Sequence, residues 1–201
     1  MRSISKAVLI LILCGAAISA VAQKSTTKAK PAAAVGPKEA YCTATGGQVE
    51  TRHAVYGTNG PPQDWLPLSA VEGFCQYTLA DDGSRIHVSL MTLYTSKPTL
   101  AALAYYAQVP WNGQGQGNPA SFYCTQLGGA EIGATDLAGG AWVTQGGIDD
   151  LLETCIFPDN STIDSWGLLY HSVSIIRGTD LATVLKYSNP FPKNPLLKKP
   201  E

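Results

Sequence analysis

Three histidines, His53, His87 and His171, are the only imidazoles in the chain. No two of them are spaced as a ligand or catalytic pair on one helix. The chain also lacks Gly-x-Ser-x-Gly, His-Glu-x-x-His, a phosphate-binding P-loop and a dinucleotide fingerprint. Imidazole chemistry would need the fold to assemble it, so ordinary surface or core roles are expected. Asp149, Asp150 and Glu153 form an acidic group that could attract a cation or act as a carboxylate pair. The ligand spacing of an EF-hand is missing, and a solvated loop is expected there. Asp81, Asp82 and Asp159 have the context of turn residues, where side-chain-to-backbone bonding accounts for them. The sequence therefore names no catalytic residue, no metal ligand and no cofactor, and the chain is expected not to be an enzyme.

The tryptophans offer binding chemistry instead. Trp65, Trp111 and Trp142 lie in turn-rich or strand-edge contexts and could form a surface that stacks on a sugar or a peptide. Trp166, with Ile163 and Tyr170 at helical spacing, reads as core. The stripe Leu100, Leu103, Ala104 and Ala107 likewise reads as the buried face of a helix. It has almost no flanking Lys or Arg, which weakens a membrane-lytic reading.

What positions these residues is a repeated framework. Ala40-Tyr41-Cys42-Thr43-Ala44-Thr45-Gly46-Gly47 is echoed by Phe122-Tyr123-Cys124-Thr125-Gln126-Leu127-Gly128-Gly129. Farther on, Phe74-Cys75-Gln76-Tyr77 answers Thr154-Cys155-Ile156-Phe157, and Asp82-Gly83-Ser84 answers Asp159-Asn160-Ser161. A fixed period of this kind predicts two divergent copies of one unit. Cys42, Cys75, Cys124 and Cys155 allow three pairings. If each copy is its own unit, the bonds are Cys42–Cys75 and Cys124–Cys155. Each would close a loop of about thirty residues, adding about 3–4 kcal/mol by restricting the unfolded chain.

The ends carry different information. Arg2 and Lys6, the apolar run Ala7 to Ile18 and the small-x-small site Ala20-Val21-Ala22 read as a secretory signal over residues 1–22. Export is expected, to the periplasm or outside the cell, where disulfides persist. Leu13 before Cys14 is too bulky for a lipid-attachment motif, so a lipid anchor is less expected. No later segment is apolar enough to span a bilayer. Of 14 basic residues, Arg2 and Lys6 leave with the signal, so 12 face 15 acidic ones and the net charge is −3. That argues against a nucleic-acid or general anionic-membrane binder. Lys24, Lys28, Lys30 and Lys38, with Lys193, Lys198 and Lys199, read as solvated ends.

Residues 23–38 read as a flexible spacer and residues 189–201, punctuated by proline, as a disordered tail. Between them lie a first repeat at 39–108, a linker at 109–117 and a second repeat at 118–188. In the second, Asn118 caps and Gly128 ends a helix over Ala120 to Leu127. Strand-like segments follow at Ala130–Thr135, Ala141–Thr144 and Thr154–Phe157, with a tight turn at Asp159-Asn160. In the first, Ile86 to Leu90 alternates like a strand; the matching stretch after Asn160 fits strand or helix. Closing helices are predicted over Thr99–Ala107 and Leu181–Tyr187. The fold class is α+β, as two tandem disulfide-braced units, each a helix, short antiparallel strands and a closing helix.

Asn118-Pro119-Ala120-Ser121-Phe122-Tyr123-Cys124-Thr125-Gln126-Leu127-Gly128-Gly129 resembles the opening of a small domain of bacterial exported proteins and lipoproteins. Cys155-Ile156-Phe157-Pro158-Asp159-Asn160-Ser161, with the later Trp166, resembles that family's cysteine–phenylalanine–proline–aspartate–glycine–serine turn. Its members are often labelled hemolysins, and its function is formally unknown. Asn160 stands where the family has glycine, which its tolerance of positive φ permits. The resemblance implies export and this small fold. Three functions remain as expectations: binding a protein or glycan of the cell envelope, protease inhibition through the loop Pro158 to Thr162, or the membrane activity that the hemolysin label implies.

Overall fold

The computed structural model describes residues 35–133 and 138–190. The expected signal, Cys14, most of the spacer, residues 134–137 and the tail from residue 191 lie outside the described residues. The chain opens with α1 (Pro37–Ala44), in which Pro37 occupies the first turn and Glu39 faces the positive end of the dipole. Gly46, at φ +88°, ends it, and β1 (Gln48–Tyr56) follows. Next come β2 (Leu66–Thr78), β3 (Arg85–Ser89) and α2 (Leu90–Tyr94), then α3 (Leu100–Ala107). The second half contributes α4 (Pro119–Gln126), β4 (Gly140–Thr144), β5 (Gly147–Leu152), β6 (Thr154–Ile156), β7 (Thr162–Asp164) and α5 (Ser165–Ser172). The fold is thus α+β, with helices and one antiparallel sheet.

The expected disulfides are both present, Cys42–Cys75 and Cys124–Cys155. Each ties the helix that opens its half to a strand. In each half a glycine beside the bond has no room for a side chain. A Cβ on Gly47 would run into the Cys75 sulfur, and one on Gly129 into the Cys155 sulfur. The bridge Ala130↔Ile156 repeats the pairing Gln48↔Gln76. Ser89 caps α2 as Asp164 caps α5.

The two halves do not stand apart as separate units. The described residues form one compact body, and the seven strands form a single sheet in the order β5-β4-β1-β2-β3-β7-β6. Strand β4 joins β1 and strand β7 joins β3, so second-half strands flank the first-half hairpin on both sides. The contact between β3 and β7 pairs Val88 with Ile163, and a row Cys75↔Val88↔Ile163↔Cys155 crosses the sheet. Burying one shared core is the physical gain, because a half of this length alone buries little surface.

The sheet is strongly curled. Its outermost strands β5 and β6 are joined through Glu153 alone. Arg85 on β3 reaches Asp150 on β5 at 3.0 Å, although three strands lie between them in the sheet order. Four strand spacings of about 4.8 Å would put a flat sheet's residues out of reach. The face carrying Arg85 and Asp150 therefore lies inside the curl. The opposite face carries Cys75, Tyr77, Ile86, Val88, Cys155 and Ile163 against the helices and forms the main core.

Several expectations change. The stretch around Asp149 is strand β5, not a solvated loop, because it pairs with β4. Ala130 to Thr135 is not a strand: Ala130 makes one bridge, residues 132 and 133 turn, and residues 134 and 135 lie outside the described residues. After Asn160 both alternatives occur in succession, β7 then α5. The closing segment is helical only as a 3-10 turn at Leu181–Thr183. Its later groups bond elsewhere: Lys186 N–H donates to the Leu93 carbonyl and Tyr41 O–H to that of Val184. The buried face of α3 is Ala101, Ala102, Tyr105 and Tyr106, while Leu100 is 41% exposed. The tyrosines win because their hydroxyls find partners, Asp180 for Tyr105 and the Tyr187 carbonyl for Tyr106.

Candidate functional site

Inside the curl, alternate strand positions carry charge. On β1, Glu50 and Arg52 share the inward face; on β3, Arg85 and His87 do. Arg52 is fully buried, with a side-chain exposure of 0%. It donates to the Glu50 and Asp150 carboxylates, both at 2.7 Å, and to the Asp150 carbonyl at 2.9 Å. Burying a lone guanidinium is costly; two carboxylates and a carbonyl offset that cost.

His87 joins this group. Its Nε2 lies 2.9 Å from Gln76 Oε1, and its Nδ1 lies 3.4 Å from Asp164 Oδ2. An oxygen thus faces each nitrogen, and the Arg52 guanidinium also lies 3.3 Å from Nε2. Burial works against a charge on the ring, but the hydrogen bonds and negative charge of Asp164 and Glu50 outweigh it, and the pKa rises above the usual imidazole value. Glu50 is held below its usual range, first by its hydrogen bond to His87 and then, against the cost of burial, by Arg52. Burial pushes Asp150 up, yet Arg52 and Arg85 together bring it below the usual carboxylate range.

His87, Asp150 and Asp164 of this array line an open cleft of about 470 Å³, with Arg52 and Glu50 behind them. One wall is aromatic. Trp166 and Tyr170 come from successive turns of α5, with ring centroids 6.1 Å apart. Arg177 lies over the Tyr170 ring at 5.0 Å. Asp164 starts the helix that carries them, one carboxylate oxygen accepting from Gly167 N–H at 2.8 Å and the other facing His87. Arg85, Leu151 and Glu153 complete the rim. Glu153 accepts from Trp166 Nε1 and from Asn118 Nδ2, each at 2.7 Å. It also borders a second cleft, where burial raises the pKa of Glu131.

The tryptophans singled out by sequence do not meet on a common surface. Trp142 is 4% exposed, packed edge-on against Phe74 inside the curl, and so presents nothing to a ligand. Trp111 packs against the main core. Trp65 is half-buried between β1 and β2, its Nε1 donating to the Gly60 carbonyl. Trp166, expected as core, packs against the main core and also lines the cleft. Of the acidic group, Asp150 and Glu153 belong to the site, and Asp149 does not line it. His53 is half-buried on β1, and His171 stacks on Tyr105 with centroids 3.8 Å apart. Among the described residues no group of three or more His, Cys, Asp or Glu is placed to hold a metal, and no helix is long and apolar enough to cross a membrane.

The loop Pro158 to Thr162 lies against α3. Asp159 Oδ2 accepts from Leu100 N–H at 2.8 Å and Ser161 Oγ from Ala101 N–H at 2.9 Å, supplying the cap that the start of α3 needs. Sequence reading missed Arg52, Glu50, His87 and Asp164. The available signal was the period-two placement of charge in Glu50-x-Arg52 and Arg85-x-His87, which puts like partners on one strand face.

A family described as a domain of unknown function (DUF333) matches residues 115–172. The chain is similar to that domain from α4 through α5. No curated protein and no solved structure matches the chain. The matched segment supplies Asp150, Glu153, Asp164, Trp166 and Tyr170 to the cleft, whereas Arg52, Arg85, His87 and Arg177 lie outside it.

Proposed function

We propose that this is an exported, disulfide-braced binding protein without catalytic activity, built from two diverged copies of one helix-and-hairpin unit. Its cleft receives a segment of a protein or glycan from the cell envelope. The observation that carries this reading is the aromatic wall of Trp166 and Tyr170 set beside charged groups already fixed by one another. Polar groups held in place before a ligand arrives lose little freedom on binding it. A binding role also fits His87, whose two nitrogens are both engaged, leaving no free base beside a nucleophile. Duplication is supported by the matching glycines at the disulfides and by the Val88–Ile163 pairing. Export is supported by the two disulfides and by the signal-like start of the chain.

The test is a screen of peptide and oligosaccharide libraries with the oxidised protein and with Leu151→Trp, which fills the cleft from an exposed rim position. Ligands that bind the wild type and lose binding to Leu151→Trp are expected. A screen without ligands, or with ligands indifferent to Leu151→Trp, overturns the reading.

A further inference from the structure

We infer that the cleft takes a short peptide in its zwitterionic form, its ammonium group at Glu153 and its carboxylate at Arg177. This rests on the cleft being a binding site, as proposed above, and adds the chemistry of the ligand. Most charges in and behind the cleft cancel. Arg52 and Arg85 are paired with Glu50 and Asp150, and Asp164 faces the His87 ring. Two groups are left over. Glu153 takes hydrogen bonds from neutral donors only and has no ion pair among the described residues. Arg177 donates through Nε to the Arg85 carbonyl at 3.3 Å, and its terminal nitrogens have no partner among the described residues.

These leftover charges have opposite sign, and each adjoins a different ring of the aromatic wall. Glu153 is at the edge of Trp166, at its indole nitrogen, and Arg177 is over the face of Tyr170. A ligand that satisfies both must carry a cation and an anion, with a body that lies on two rings. An ammonium pairs with the Glu153 carboxylate, and a carboxylate can take both terminal nitrogens of a guanidinium. The ring centroids alone are 6.1 Å apart. A free amino acid, with its charges on one Cα, is too short. Two or three extended residues, at about 3.3–3.6 Å each, fit. A neutral sugar would use the rings and leave both charges unanswered.

Calorimetric titration of the oxidised protein with trialanine tests this. Trialanine is expected to bind, and N-acetylation or C-amidation is expected to weaken it about tenfold or more each. Glu153→Gln keeps an acceptor for Trp166 and Asn118; in it the acetylated and free peptides should bind alike. In Arg177→Met the amidated and free peptides should bind alike. Blocked peptides that bind the wild type as well as trialanine, or free alanine that binds as well, overturn the inference. If chitotriose binds, is lost in Leu151→Trp, and trialanine does not bind, the inference falls and the binding cleft stands. If neither binds and the library screen also fails, both fall.

Discussion

Two places on the inward face of the sheet flank the Val88–Ile163 pair, and they are built alike but behave differently. On one side His87 faces Asp164; on the other, in the mirrored position, Ser89 lies opposite Thr162. Ser89 and Asp164 do the same structural job, each capping a short helix through its side chain. Serine has a single oxygen, which accepts from Thr92 N–H at 3.2 Å and meets the Thr92 hydroxyl at 2.9 Å. Aspartate has two oxygens. One caps α5 and the other faces the His87 ring. The Ser89 side has no such imidazole, and burial pushes the nearby Glu72 carboxyl up although Ser89 and Thr162 hydrogen-bond to it. The scaffold is shared, and one extra oxygen at a cap position turns one side into an ionic site. The cleft, its aromatic wall and Arg177 all lie on that side.

The sharpest way to break the comparison is to remove the cation behind it. Arg52→Met should leave Glu50 and Asp150 without their buried partner and cost about 3–5 kcal/mol, read as a lower midpoint in urea unfolding. Ser89→Ala, on the quieter side, should cost about 1 kcal/mol, the usual value of a lost cap. Equal losses in the two variants would show that the two sides differ in appearance only. Next in size is a pair expected to agree. Gly47→Ala and Gly129→Ala each force a methyl group against a disulfide sulfur, and each should cost about 1–3 kcal/mol through overpacking. A large loss at one and none at the other would show that the halves are not equivalent even as scaffold.

The parts of this molecule visible in its sequence are the locally encoded ones. The Asn118 cap, the Asp82-Gly83 turn and the left-handed Asn160 follow from side chains that bond to their own neighbourhood. The disulfides followed from the repeat. The shared sheet did not, because nothing local in Val88 or Ile163 says that these strands pair with each other rather than end their own hairpins. The site was hidden for the same reason. Arg52 and Asp150 lie 98 positions apart, and His87 and Asp164 lie 77 apart. A run such as Asp149-Asp150 looks solvated until a buried arginine from another strand is placed beside it. The tryptophans misled because exposure depends on which face of a strand the curl turns inward, and Trp142 shares that face with Phe74.

The smallest expected effect is also the most specific. Asp164→Ser makes the ionic side resemble the Ser89 side: it keeps a capping oxygen and removes the one that faces His87. The folded protein raises the His87 pKa above its unfolded value of about 6.5. The stabilisation is therefore complete below that value and is lost as pH rises through the folded pKa. Glu50 and Asp150 are shifted down, so their contribution disappears only in acid, below about pH 4. Glu72 and Glu131 are shifted up, and the decline they cause begins above about pH 4.3; Asp164 adds to the Glu131 shift, so that part is smaller in the variant. Between about pH 6 and pH 8 the wild type should lose stability as His87 gives up its proton. Asp164→Ser should start lower near pH 6 and show a flatter profile across that range, measured as Tm against pH. Parallel profiles would mean that the second oxygen of Asp164 does nothing for His87, and the difference between the two sides would then have to lie in Glu50 and Arg52 alone.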